Sequence, residues 1–234
     1  MLDYPDDYGS FDYSFGYKPA AFYTIMAYGD SGQTSYLTFS NPRITLCGGH
    51  TEVTYGLDRP IVVGQMLGEV AKDRLVRTAG ARVGDDILLT KGVAVEATSI
   101  IARVKGEELS RKYSPQFLDA CRDFIYTPGI SVVEDAMTAV ESARVTAMHD
   151  PTEGGVTTGL HELAEAAGAG VHVEYEAIPF FPETLELCGQ YALDPLGIIA
   201  SGSLLLTVGP AETSALLSAF AARQIQASVI GRML

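Results

Sequence analysis

One stretch of this chain constrains a strand end, a tight loop and both ends of a helix. It reads MHDPTEGGVTTGLHELAEAAG, residues 148–168, and follows the strand-like run ARVTAM. Pro151 restricts the backbone just ahead of Gly154 and Gly155, which permit conformations that other residues avoid. The pattern predicts a strand at 144–148, a tight loop and a helix at 154–167.

Two interpretations of this loop are open. Asp150 and Thr152 can cap the helix, with the glycines present only for close packing of strand against helix. Alternatively, free backbone amides and the helix dipole at Gly154 and Gly155 favour an anion. Spacing alone does not separate the two.

Apolar runs alternate with helical patterns from residue 43 onward, as in an α/β or α+β domain. The other strands are predicted at about 43–47, 60–69, 86–90, 171–175, 202–208 and 226–230. The other helices are predicted at about 94–105, 114–125, 132–141, 182–190 and 211–223. The GDD sequence at 84–86 runs directly into an apolar strand and is predicted to be a turn.

Two further stretches carry polar residues next to predicted strands. In TLCGGHTEVTYGLDRP, residues 45–60, Gly48 and Gly49 precede His50, Thr51 and Glu52, which can ligate a metal or move protons. A Gly-Gly bulge with solvated polar residues explains the same pattern. In LDPLGIIASGSLLLTV, residues 193–208, the Ser-Gly-Ser sequence is a turn signal that can also offer donors to a phosphate.

Composition excludes several classes of function. A net charge of -13 over 234 residues argues against binding to nucleic acid or to an anionic membrane, because both attract positive charge. No apolar run is long enough to span a bilayer, and the acidic start is unlike a signal peptide. We therefore expect a soluble cytoplasmic protein. Three widely spaced cysteines suggest core or free thiols.

Four blocks of this sequence, in order, resemble aminoimidazole ribonucleotide (AIR) synthase and its PurM-like superfamily, and are closest to the HypE-like and AIR synthase-related branch. They are CGGHTEVTYGLDRPIVVGQMLGEV, GDDILLTKG, MHDPTEGGVTTGLHELAEAAGAGVHV and DPLGIIASGSLLLTV. The resemblance covers residues 43–234. It implies an α+β fold, an α/β sandwich in which helices cover a mixed sheet. It also implies an N-terminal α/β domain that pairs with a second copy, so that a homodimer is expected.

The resemblance implies an enzyme that uses ATP and Mg²⁺ to activate an amide, carbamoyl or similar oxygen of a small-molecule substrate by phosphorylation. Carried onto this sequence, it implies catalytic roles for His50, Glu52 and Asp150, and metal binding by Asp150 and Glu153. The residues implied to contact the nucleotide are Gly48, Gly49, Thr51, Thr152, Gly154 and Gly155.

The chain departs from the family pattern in its first part. Residues 1–42 hold seven of the twelve Tyr residues and lack the family's Gly-Asp-Asp-Ala-Ala-type motif. We therefore expect an atypical segment at 1–42, remnant strands of the N-terminal domain at 43–69 and a PurM-like C-terminal domain at 70–234. The chain also lacks the terminal Cys of HypE. An incomplete enzyme, weak or inactive as an isolated chain, is expected; the alternative is a noncatalytic binding or assembly module associating through exposed strand edges.

Overall fold

The computed structural model describes residues 69–234 and, in the preceding part of the chain, the backbone of two short strands. The chain divides into two compact units, Met1–Gly68 and Glu69–Leu234. In the first unit, β1 (Phe22–Thr24) and β2 (Thr34–Tyr36) pair in parallel. The predicted strands at 43–47 and 60–69 lie outside the described residues, except for Glu69, which belongs to no strand. The three proposed domain limits stay predictions.

The second unit contains one five-stranded sheet. Its strands are β3 (Asp86–Thr90), β4 (Val145–His149), β5 (Val171–Val173), β6 (Leu205–Val208) and β7 (Ala227–Met233). Their order across the sheet is β4-β6-β3-β7-β5, and every neighbouring pair is antiparallel. The predicted α+β class is confirmed, but the sheet is antiparallel rather than mixed, because each strand runs opposite to every strand it pairs with.

Seven α-helices surround the sheet within residues 69–234. They are α1 (Val95–Val104), α2 (Gly106–Leu109), α3 (Pro115–Asp123), α4 (Val133–Ser142), α5 (Gly155–Ala167), α6 (Pro182–Gln190) and α7 (Pro210–Ala222). Three begin with proline, whose fixed φ suits the first helical position. Gly168, in the left-handed conformation, ends α5. Only α2 was not predicted as a separate helix, because four residues carry no periodic signal.

Alternating side chains of β3 supply the cores on both faces of the sheet. Ile87 and Leu89 pack with residues of α5, whereas Leu88 packs with residues of α4 and α7. A third apolar cluster joins α1, α3 and α6. Because both faces of the sheet are covered, the unit is an α/β sandwich, as predicted.

Two of the three cysteines lie in the described part of the chain and are free and buried. Burial, the largest cause, raises the pKa of the Cys121 thiol to about 11 and that of the Cys188 thiol to about 11. Both are therefore protonated core residues, as predicted.

The GDD sequence forms the predicted turn. Gly84 has a φ of 91°, and Asp85 accepts hydrogen bonds from the Arg82 amide and the Thr146 hydroxyl. Asp86 accepts from the Arg232 guanidinium at 2.9 Å. These two carboxylates are thus satisfied by structural partners.

Candidate functional site

The ends of β3 and β4 lie at one edge of the sheet. Both strands run antiparallel to β6, which lies between them, so they are parallel to each other. Leu89 and His149 both face Leu205 across the sheet. Lys91 and Asp150, which follow these two strand ends, therefore leave the sheet on the same side.

Lys91 is a buried cation held by fixed acceptors. Its Nζ lies 3.1 Å from Asp135 Oδ2 and donates to the Ser131 carbonyl at 2.7 Å and to the Gly129 carbonyl at 3.4 Å. The side chains of Lys91 and Asp135 are only 9% and 2% exposed. Lys91 also adopts a φ of 58°, a conformation that costs energy for a residue other than glycine. Such backbone strain is concentrated at functional sites.

One oxygen of this buried pair lacks a partner. Asp135 Oδ1 is inaccessible and accepts no hydrogen bond among the described residues. Native proteins satisfy the large majority of such atoms, so this oxygen is a position where a water molecule or a ligand donor would bind.

The pKa of the Asp150 carboxyl is influenced by Lys91 and Asp135. Desolvation by the surrounding chain is the largest cause that raises the pKa of its carboxyl, although the residue is exposed overall. The charges of His149 and Lys91 lower this pKa, and those of Asp135 and Glu96 raise it. A carboxyl with a raised pKa, within the electrostatic influence of a buried lysine, is suited to exchange a proton or to bind a cation.

The raised pKa of Asp150 gives a pH-dependent stability. The folded state holds this proton more tightly than the unfolded state, so the stabilisation is complete below the ordinary carboxyl pKa and is lost as pH rises through the raised value. We expect Asp150→Asn to raise the Tm at pH 7, and this gain to shrink at about pH 3, where the aspartate is protonated in both states.

Scanning calorimetry at both pH values checks this expectation. Asp123→Asn, at an exposed position at the end of α3, corrects for the loss of one negative charge. A gain from Asp150→Asn that is equally large at both pH values, after this correction, would contradict the assignment.

The start of α5 has no side-chain cap. Gly154 is the N-cap residue, with a φ of 76°, and no side chain accepts a hydrogen bond there. The Thr152 hydroxyl donates instead to the Asp150 carbonyl at 3.3 Å. Capping by Asp150 or Thr152 is therefore not the role of this loop, because its backbone conformation places glycine at the cap.

Gly155 is required for close packing. Its φ is 68°, and a Cβ atom would lie 2.3 Å from the Leu196 carbonyl oxygen. The Thr157 amide donates to that same oxygen at 3.1 Å, and the Ala200 amide donates to the Thr152 carbonyl at 3.1 Å. The DPTEGG segment, residues 150–155, and the DPLG segment, residues 194–197, thus pack against each other.

The amides of this loop are only partly free. Gly155 is buried, and its amide donates to the Thr152 carbonyl at 3.2 Å. The amides of Glu153 and Gly154 are at exposed residues and have no acceptor within residues 69–234. Any anion at this helix start would therefore contact the amides of these two residues, and not that of Gly155.

The other predicted positions are distributed as follows. Gly48, Gly49, His50, Thr51 and Glu52 lie outside the described residues. Ser201 and Gly202 form the predicted turn, and the Ser203 hydroxyl is buried and donates to the Gly92 carbonyl.

The histidines in the described part of the chain have glutamate partners. His149 Nε2 lies 2.7 Å from Glu162. His161 and His172 are exposed beside Glu165 and Glu174, as expected for surface residues.

Residues 69–234 contain no group of three or more side chains of the types His, Cys, Asp and Glu arranged to hold a metal ion. Mg²⁺ is commonly bound by one or two carboxylates together with substrate phosphates and water. Asp150 and Glu153, three residues apart on the loop, supply two carboxylates and not a complete protein cage, and metal binding by them stays a prediction. No helix in the described residues has the length and apolar character needed to cross a membrane.

Lys91 and Asp135 were missed as site residues in the sequence. Each carries a detectable signal, since a lysine ends the apolar run ILLTK and an aspartate lies among the apolar positions of α4. Charged residues are rarely buried unless paired, so such positions mark candidate pairs. Their pairing across 44 positions depends on the fold.

The solved structures that resemble this chain share a PurM-like fold. The structure of the hydrogenase maturation protein HypE in complex with ATP matches with a TM-score of 0.52 and 22% identity, covering 71% of this chain and 47% of that one. Thiamine-monophosphate kinase from Stenotrophomonas maltophilia K279a matches with a TM-score of 0.53 and 19% identity, covering 70% of this chain and 52% of that one. At these identities the likeness establishes the fold.

Sequence comparison establishes the family. Residues 82–234 match the family model of the AIR synthase related protein, C-terminal domain. The carbamoyl dehydratase HypE of Rhizobium leguminosarum bv. viciae is 29% identical over 160 residues, which make up 68% of this chain and 43% of that protein. The chain therefore belongs to the AIR synthase related family, and the resemblance seen in its motifs is confirmed. Its match spans less than half the length of this relative.

Proposed function

We propose that this chain belongs to an ATP-dependent enzyme of the AIR synthase and HypE type, which transfers the γ-phosphoryl group of ATP to an amide, carbamoyl or similar oxygen of a small molecule. The observation that carries the proposal is the convergence of Lys91, Asp150 and the start of α5 at one edge of the sheet. Such chemistry depends mainly on positioning and charge neutralisation, and these groups are suited to both. A related carbamoyl dehydratase and an ATP-bound structure of the same fold support it.

Each group has a defined role in this proposal. The exposed amides of Glu153 and Gly154 would donate to phosphate oxygens at the positive end of the α5 dipole. Asp150 and Glu153 would hold Mg²⁺, which neutralises phosphate charge when bound. Lys91, whose Nζ already has three oxygen neighbours, would fix Asp135 and set the positive potential around Asp150.

The proposal also gives roles to residues in the first part of the chain. Gly48, Gly49 and Thr51 would contact the nucleotide, and His50 and Glu52 would act on the substrate. Residues 1–42 lack the Gly-Asp-Asp-Ala-Ala-type motif. We therefore expect ATP to bind with slow turnover by this chain alone.

Calorimetric titration of the full chain with ATP and Mg²⁺ tests the proposal. We expect binding that requires Mg²⁺ and weakens about tenfold in Asp150→Asn, equivalent to about 1.4 kcal/mol, because one metal-binding carboxylate is removed. Glu165→Gln is the matched control, since it removes one negative charge from the exposed end of α5. Binding by the wild type that is unaffected by Mg²⁺ and by Asp150→Asn would rule out this metal site.

The alternative is a noncatalytic assembly module, and the same samples test it. β5 is at one end of the sheet and pairs only with β7 within residues 69–234. Exposed strand edges can pair with another chain, including a second copy. A chain that forms a stable dimer by sedimentation, but binds no ATP in the titration, would favour the assembly module over the enzyme.

A further inference from the structure

A polar cavity lies away from the candidate site. Its volume is about 330 Å³, and four of its lining residues are Arg74, Arg77, Arg82 and Arg144. One acidic residue, Asp73, also lines it. We call this feature the arginine cavity.

The arginine cavity is at the opposite end of β4 from the candidate site. Arg144 precedes the first residue of β4, whereas Asp150 follows the last. Five strand residues at about 3.3 Å each separate these ends by roughly 16 Å. The two sites are therefore distinct.

The walls of the cavity are held in place by tertiary contacts. A Cβ atom at Gly80 would lie 2.1 Å from the Thr146 carbonyl oxygen, so the segment before β3 packs directly against β4. The Thr78 hydroxyl donates to the Met148 carbonyl at 3.1 Å. Asp85 accepts from the Arg82 amide at 3.0 Å and from the Thr146 hydroxyl at 2.6 Å. The backbone next to Arg82 and Arg144 is thus held by contacts within the protein itself.

The charges of the four cavity arginines are not neutralised within the described part of the chain. None of the four guanidinium groups has a carboxylate within 4.0 Å or a hydrogen bond to residues 69–234. Every other arginine of residues 69–234 has a partner. Arg103 donates hydrogen bonds to the Ser99 hydroxyl and to the Arg122 carbonyl. Four form ion pairs with carboxylates, namely Arg111, Arg122, Arg223 and Arg232. Concentrated positive charge on a chain of net charge -13 indicates a local site for an anion.

We propose that the arginine cavity binds a small phosphate-bearing anion with two or more negative charges. The planar guanidinium group pairs with two phosphate oxygens at once, and several such groups around one space favour a multiply charged ligand. A volume of about 330 Å³ is at the lower end for small-molecule sites, which favours a compact anion over a polymer.

Calorimetric titration of the full chain with inorganic pyrophosphate, without ATP, tests the proposal. We expect a single site whose affinity falls as salt is raised, and at least a tenfold loss of affinity in Arg77→Gln and in Arg144→Gln. Arg77→Lys keeps the charge but loses the two-pronged geometry, so it should lie between Arg77→Gln and the wild type. The matched control is Arg111→Gln, because Arg111 is 78% exposed and pairs at 4.0 Å with Glu107.

Three results would overturn this proposal. The first is no binding of pyrophosphate to the wild type at millimolar concentration. The second is wild-type affinity in the Arg77→Gln and Arg144→Gln variants. The third is a loss of affinity in Arg111→Gln as large as the loss in those two variants. Tighter binding of a polyglutamate peptide than of pyrophosphate would assign the cavity to an acidic protein segment instead. Circular dichroism of each variant verifies folding.

Discussion

Gly155→Ala is expected to destabilise the second unit by about 3–5 kcal/mol. The φ of 68° at this position is unfavourable for alanine, and the new Cβ would lie 2.3 Å from the Leu196 oxygen and 2.6 Å from the Ile198 oxygen. Both obstacles are backbone atoms, so no side-chain rotation relieves them. Relief requires the loop after α6 to separate from the start of α5.

Urea unfolding followed by circular dichroism at 222 nm measures this effect, because the described helices all lie in the second unit. Gly189→Ala, within α6, is the control, since its Cβ would meet nothing within 4 Å. There we expect a gain of about 0.5–1 kcal/mol from helix propensity. Similar unfolding midpoints for the two variants would show that the packing at Gly155 yields easily.

Lys91→Met is expected to cost about 3–5 kcal/mol, because it leaves the Asp135 carboxylate buried without its cation. The Asp135 side chain is 2% exposed, so water cannot replace the lysine without opening the structure. The double variant Lys91→Met with Asp135→Leu should recover most of the loss, since an apolar pair needs no compensating charge.

Lys105→Met is the control for this prediction. Lys105 lies 3.8 Å from Glu108 in a pair whose side chains are 50% and 54% exposed, and such pairs contribute less than about 1 kcal/mol. The same unfolding measurement applies to all three variants. If Lys91→Met and Lys105→Met had the same small cost, the Lys91–Asp135 pair would not be a structural element of the site.

Local signals in the sequence determine most element positions in the second unit. Proline at the starts of α6 and α7 and glycine at the end of α5 act within one turn of the backbone, so no knowledge of the fold is needed. The strand at 86–90 matches β3 for the same reason, since its run of apolar residues is bounded by a turn. Local sequence therefore predicts the elements well.

Sheet order and the composition of the site depend on distant parts of the chain. An alternation of strands and helices suggests parallel neighbours, but β6 lies between β3 and β4 and pairs antiparallel with both. The same order places Lys91 and Asp150, which follow β3 and β4, at one edge of the sheet, and neither local spacing nor periodicity encodes this arrangement. The DPTEGG loop can be identified from local sequence because Gly154 and Gly155 adopt positive φ angles, which favour glycine.

The position of β3 also governs when this unit can fold during synthesis. Both neighbours of β3 come from much later in the chain, with Leu88 paired to Leu206 on one side and to Val229 on the other. The ribosome therefore synthesises the central strand more than a hundred residues before either of its partner strands. Until then its apolar side chains lack a native sheet to join, and binding by a chaperone during that interval would protect the nascent chain from aggregation.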